Sequence, residues 1–219
     1  MDPERWGPYG WRVIHAYSKL PVSIDTYKQW LIATAGVLPC RKCRRNFRRH
    51  LRGAECKDIK TPAEYGICLH ETVSEDLEKK TAIHKPGVFR PKDLPEPTKC
   101  NLLQPMFWMT MATNTMEGKN RVIRHWLCKT IDILKEGGDD YLEIINHIKP
   151  LLDDGCFGLE QNKARRRHFA KAIRKMLDDA DLKPPSQEQL FVKFGKKPPM
   201  YRVTKKNKKS SSKRVTRKH

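Results

Sequence analysis

Leu38-Pro39-Cys40-Arg41-Lys42-Cys43-Arg44-Arg45-Asn46-Phe47 sets a CxxC pair at the start of a strongly basic helix. Two cysteines separated by two residues can close a small disulfide, and a cysteine at a helix N-terminus or beside cations has its thiolate favoured. Both conditions hold here. Pro39 stands just before the expected first turn, and Arg41, Lys42, Arg44, Arg45, Arg48, Arg49 and Arg52 crowd the pair. The stretch therefore points to a redox pair. The same spacing is also half of a zinc site, and the pair by itself does not separate the two chemistries.

Upstream of the pair, the opening Trp6-Gly7-Pro8-Tyr9-Gly10-Trp11 leads into a helix started by Asp2 or by the Gly-Pro turn. One face of it carries Trp11, His15 and Ser18, at the spacing of helical neighbours. A histidine on such an apolar face is more often a satisfied core residue than a ligand. Pro21 ends the segment. A second helix, from about Asp25 to Leu38, puts Tyr27, Trp30, Leu31, Ala35 and Leu38 on one side and delivers Cys40 to its place. The CxxC helix runs to about Leu51, where Gly53 stops it.

Downstream, Thr61-Pro62-Ala63-Glu64 combines a capping box with proline at the first helical position, and so starts a fourth helix. That helix presents Tyr65, Leu69, Val73 and Leu77 on one stripe, with His70 and Ser74 beside it and Lys79 further on. Pro86, Pro91, Pro95, Pro97 and Pro105 then mark an extended connection and a domain boundary. The second half reads as wholly helical, with segments at 106–117, 120–135, 139–153, 160–181 and 186–194. In it Cys128 and Cys156 read as buried small hydrophobes, and the methionines as core filler. Phe107-Trp108 and Trp126 echo Trp11 and Trp30, but no second CxxC accompanies them.

The chain has 219 residues, enough for one medium domain or two small ones. Its formal charge of +20 is unevenly placed: eleven Lys or Arg and no acid fall between Gly195 and His219, leaving +9 on the rest. That tail has too few apolar residues to offset ordering entropy and is expected to be disordered. It offers a nonspecific contact to nucleic acid or a nuclear address. Seven cysteines are too sparse for a secreted disulfide scaffold. The N-terminal aromatics are interrupted by Gly, Pro and Arg, so no signal peptide is expected, and no window is apolar enough for a membrane span.

Taken together, the aromatic-Gly-Pro opening, Trp11-x-x-x-His15, Cys40-x-x-Cys43 and a histidine-bearing helix ending near Lys79 resemble the Erv/ALR family of FAD-linked sulfhydryl oxidases. The resemblance covers about residues 5–90. It implies an all-α fold with an FAD-binding bundle of four or five helices over 1–95 and is silent on the second helical region over 96–194 and the tail over 195–219, which rest on the residue pattern alone. It implies that Trp6, Trp11, His15, Tyr65, His70, Val73, Ser74 and Lys79 bind the flavin, that Cys43 faces the isoalloxazine and that Cys40 exchanges with substrate. The family signature His-Asn-x-Val-Asn reads here His70-Glu71-Thr72-Val73-Ser74, so both asparagines are replaced. An ionised Glu71 cannot donate hydrogen bonds. The family's further structural disulfide is not evident, since Cys56 and Cys100 do not sit at its usual spacing.

The activity so implied is oxidation of thiols in protein substrates, with oxygen reduced to hydrogen peroxide. A homodimer through the N-terminal bundle is expected, both from the resemblance and from the aromatic residues such a bundle must bury. The compact layout is similar to oxidases encoded by large DNA viruses, which implies a place in host cytoplasm or virion. The alternative is a zinc-binding, nucleic-acid-binding protein using Cys40, Cys43, Cys56 and Cys68 or His70. Against it, no second CxxC or HxxxH half is present, and Cys68 and His70 fall on different faces of one helix.

Overall fold

The computed structural model describes residues 3–38, 40–76, 90–103, 120–153, 171–172 and 174–182; the side chains of residues 3–6, 9 and 120 are also outside the description. Among the described residues all regular structure is helical, with no strand, and no helix is long and apolar enough to cross a membrane. The principal helices are α1 (Pro3–Ser18), α2 (Ile24–Val37), α3 (Arg41–Arg52), α4 (Pro62–Asp76), α5 (99–103), α6 (Asn120–Gly137) and α7 (Leu142–Asp153). The segments expected at 106–117 and 186–194, with Cys156 and the tail, lie outside the described residues.

Local signals set the helix ends. Ser23 caps α2, its hydroxyl accepting from the Thr26 N–H at 3.2 Å. Thr61 caps α4 in the same way, accepting from the Glu64 N–H at 3.3 Å, while its hydroxyl donates to the Glu64 carboxylate at 2.7 Å. Gly53 closes α3. Between α6 and α7, Gly138 has φ of +112°, a conformation that side-chain-bearing residues avoid, and a 3-10 turn at Asp139–Tyr141 completes the reversal.

The core sits around α1 and α2. From Arg12 to Ser18 every side chain of α1 is buried, as expected of a helix covered on all sides. Tyr17 stacks on Trp30 with ring centroids 4.4 Å apart, and the Tyr27 hydroxyl donates to the Ile14 carbonyl at 3.0 Å. A Cβ on Gly66 would lie 2.9 Å from the Tyr27 hydroxyl oxygen and 3.3 Å from the Ser18 Cβ, so α4 approaches α1 as closely as it does because that position has no side chain. The face expected for α2 is buried, but so are Ala33, Thr34, Gly36 and Val37. A second layer explains the excess, because α6 packs on the far side of α2.

That pairing is antiparallel and its register is explicit. Glu136 accepts from the Ser23 N–H at 2.8 Å and the Thr26 hydroxyl at 2.5 Å, placing a carboxylate at the α2 N-terminus. These bonds, the Thr26 hydroxyl foremost, hold the Glu136 carboxyl below the usual carboxylate range. Trp30 Nε1 donates to Thr130 Oγ1 at 3.1 Å, and Trp126 Nε1 donates to Thr34 Oγ1 at 3.0 Å. Each threonine passes its own proton to the carbonyl four residues back. At the far end a Cβ on Gly36 would meet Val122 Cγ1 at 2.6 Å.

The boundary drawn at residue 95 from the proline-rich stretch does not divide the packing. Leu102, Leu103, Ile123, Trp126 and Leu127 belong to the same buried core as Tyr17 and Trp30. All described residues fall in one compact unit, 1–185. The link is polar as well: the buried Arg12 guanidinium donates to Asn101 Oδ1 at 3.1 and 2.5 Å, and burial lowers its pKa. Asn101 in turn donates to the Glu96 carbonyl at 2.7 Å. Because α6 covers the aromatics of α2 from within the chain, those aromatics give no packing reason to expect a second copy. Cys128 is half-buried rather than core, since it lies on α6 away from α2.

Cys56 and Cys68 form a disulfide with Cα atoms 6.0 Å apart, tying the loop after α3 to the middle of α4. This supplies a structural bridge that was not evident at Cys56 and Cys100: Cys56 pairs with Cys68 and not with Cys100.

Two outcomes are expected in urea unfolding. Thr34→Val and Thr130→Val should each lower stability by about 1–3 kcal/mol, because each leaves a buried indole N–H without an acceptor; unchanged midpoints in both would show that the exchange carries no stability. The Cys56→Ala/Cys68→Ala double variant should lose about 3 kcal/mol, the loop-closure contribution of a short cross-link, and an unchanged midpoint would exclude that role.

Candidate functional site: the CxxC turn and its aromatic neighbours

The α2 to α3 turn places the two cysteines. Cys40 is the N-cap of α3, and its sulfur accepts from the Cys43 backbone N–H at 3.2 Å. Cys40 and Cys43 are joined as a disulfide across Cα atoms 5.0 Å apart, and both are half-buried. Arg44 holds the turn from beneath: its Nη1 donates to the Leu38 carbonyl at 2.7 Å, satisfying a group at the C-terminal end of α2, where a cation is favoured. Burial, then the charges of Arg48 and Arg41, lower the Arg44 pKa.

Cys43 packs against the core, and Phe47 follows it by one turn on the same face of α3. The Phe47 ring lies 6.0 Å from that of Trp11. Trp11 stacks on His70 with centroids 3.9 Å apart and planes 15° from parallel, and on His15 at 5.8 Å. His15 Nε2 and His70 Nδ1 share a hydrogen bond of 2.9 Å. Three helices, α1, α3 and α4, thus bring together an indole, two imidazoles and the phenyl ring one turn after Cys43.

Of the other residues expected at the site, Ser74 is buried and Val73 half-buried on α4. Tyr65 is drawn elsewhere, its ring edge-on to Tyr27 at 6.5 Å and beneath the Lys28 ammonium at 4.7 Å. The Trp6 side chain and Lys79 lie outside the described residues.

Sequence reasoning passed over Phe47, His50 and Asp76. Asp76, at the end of α4, accepts from Asn46 at 3.3 Å and pairs with Arg49 at 2.6 Å and His50 at 3.6 Å, clamping α3 to α4. Burial pushes the Asp76 carboxyl upward, but Arg49 and His50 outweigh it and hold the group below its ordinary pKa. Phe47 was legible as the residue four after Cys43. The clamp was not, because nothing in a basic helix says which cation meets which acid.

The four sulfurs weighed as zinc ligands are instead bonded in two separate pairs. Among the described residues no group of His, Cys, Asp and Glu side chains could hold a metal ion. The cluster has the chemistry by which a planar heteroaromatic group is held, ring systems that stack and imidazole nitrogens that hydrogen-bond.

Over 57 residues, 23% of this chain, the sequence is 40% identical to a probable FAD-linked sulfhydryl oxidase of Acanthamoeba polyphaga mimivirus. The matched region spans 40% of that relative's length. No family model matches the chain, and no solved structure does.

Proposed function

We propose that this chain is a FAD-dependent sulfhydryl oxidase that forms disulfides in protein substrates through Cys40 and Cys43. The observation that carries the reading is a CxxC disulfide at the N-cap of a helix whose Phe47, one turn after Cys43, meets a stacked Trp11, His15 and His70 cluster. Similarity to a protein described as FAD-linked supports the same cofactor.

Cys40 is the substrate-facing sulfur. A substrate thiolate attacks it, the Cys40–Cys43 bond breaks, and Cys43 departs as a thiolate. A second substrate thiolate then attacks the substrate sulfur of the mixed disulfide, forming the substrate disulfide and releasing Cys40. Two electrons have passed from substrate to the CxxC pair, and the two substrate protons left to solvent when the attacking thiols ionised. The Cys43 N–H and the α3 N-terminus favour the Cys40 thiolate, and Arg41 and Lys42 add to that bias. FAD, when bound, supplies the two-electron acceptor that reoxidises the pair and passes the electrons to oxygen, giving hydrogen peroxide. Trp11 and His70 would stack on its ring system, and His15, Val73 and Ser74 would line the pocket, with Trp6, Tyr65 and Lys79 assigned to it by resemblance alone. Arg44 keeps Cys40 and Cys43 in place by fixing Leu38.

Purified protein is expected to be yellow and to carry about one FAD per chain, and to consume oxygen with a small dithiol. Cys43→Ser should abolish that consumption, whereas Cys128→Ser should leave it intact. A colourless protein, or equal loss in both variants, would overturn the reading.

A further inference from the structure

The exposed side of α3 carries Arg41, Lys42, Arg45, Arg48, Arg49 and Arg52. Arg41, Arg45, Arg48 and Arg52 are spaced by four, three and four residues, so they form one stripe along the helix. Lys42 and Arg49 flank it. The helix has no acidic residue of its own, and Arg41 and Lys42 occupy the first turn, where the backbone dipole already disfavours cations. Among the described residues Arg49 has the Asp76 carboxylate, and the other five exposed cations have no acidic partner. Arg44, behind the stripe, feels the charges of Arg48 and Arg41. Six like charges on one short helix work against its formation, so their arrangement is explained by something outside it. The tail cannot be that partner: from Gly195 to His219 it is cationic and has no acid.

We propose that this stripe docks an acidic segment of the protein substrate, adjacent to the cysteine that Cys40 engages. The inference rests on the oxidase reading, and it names the substrate class: thiol proteins whose reactive cysteine is flanked on one side by a run of Asp or Glu. The stripe starts beside the disulfide and extends away from it for about 16 Å, which about five residues of extended chain would span. The reactive cysteine therefore sits at one end of the acidic run and not in its middle. A polyanion without thiols could match the charge but would leave unexplained why the stripe begins at the CxxC pair.

The test uses the full chain and the double variant Arg48→Gln/Arg52→Gln, whose changed positions lie at the far end of the stripe from the cysteines and keep good helix formers. Two dithiol peptides are compared, one followed by a run of Glu and one by a run of Gln. For wild type, KM for the acidic peptide should be roughly five- to tenfold lower at low salt, with kcat alike and the difference shrinking as salt screens it. The double variant should lose most of that difference while oxidising a small neutral dithiol at the wild-type rate. Fluorescence anisotropy with the S-alkylated acidic peptide should show the same loss without any turnover. Equal KM for the two peptides in wild type overturns the docking inference and leaves the oxidase reading standing. A variant that loses affinity for a single-stranded oligonucleotide but binds the acidic peptide as before also overturns it, assigning the stripe to nucleic acid. If no thiol is oxidised at all, the oxidase reading falls, and the anisotropy comparison still decides whether the stripe binds acidic peptide.

Discussion

Two indole N–H groups in a dry core need acceptors, and the exchange between Trp30 and Thr130 and between Trp126 and Thr34 provides both. The threonine hydroxyls are each used twice, accepting from the indole of the facing helix and donating to their own. Sliding α6 along α2 would break both indole bonds at once and leave two donors buried. Glu136 at one end and the Gly36–Val122 approach at the other agree with the same register. This fixes where α2 ends, and Leu38, at that end, is where Arg44 takes hold of the turn carrying Cys40. The second half of the chain therefore acts on the site through its packing against α2.

The α3 helix carries an electrostatic load that the rest of the structure offsets only in part. It is stabilised by Phe47, which packs in the aromatic cluster, and by Asp76, which reaches the buried His50 and the exposed Arg49. Arg44 finds a carbonyl at a helix C-terminus, the natural place for a cation without a carboxylate. The exposed cations remain, and of these Arg41 and Lys42, in the first turn, stand next to the Cys40 sulfur, whose thiolate they favour.

Polar groups buried between α1 and α4 have a related logic. His15 and His70 share one hydrogen bond while stacking with Trp11, so the interface is closed by rings that also have hydrogen-bonding nitrogens. Gly66 lets α4 come close enough to α1 for that contact. The Cys56–Cys68 bridge then ties α4 to the loop after α3. A small bundle with histidines in its seam is held by these few constraints as much as by its apolar contacts.

Much of the fold was legible in the sequence. Periodicity, Ser23 and Thr61 as caps, Pro62 and Gly53 are local signals, and local signals set where helices start and stop. The CxxC at a helix start was legible for the same reason, whereas Trp11, His15 and His70 were grouped only by the family resemblance, since periodicity alone reads such a histidine as core. Partners distant in sequence were not legible. Cys56 and Cys68 could equally be read as metal ligands or bridge halves until packing brought their Cα atoms to 6.0 Å. Tyr65 shares a stripe with Leu69, yet neighbouring Tyr27 and Lys28 claim its ring. The proline-rich stretch looked like a domain boundary because proline reports only the local backbone, while Trp30 and Trp126, one on each side of it, share a core. The sequence by itself determined the helices, the CxxC pair at a helix start and its cationic setting, since each follows from residues within a turn or two of one another. Only the tertiary structure decided which sulfurs pair, which rings meet and that the two halves fold as one, because those depend on which surfaces must be buried against each other across the whole chain.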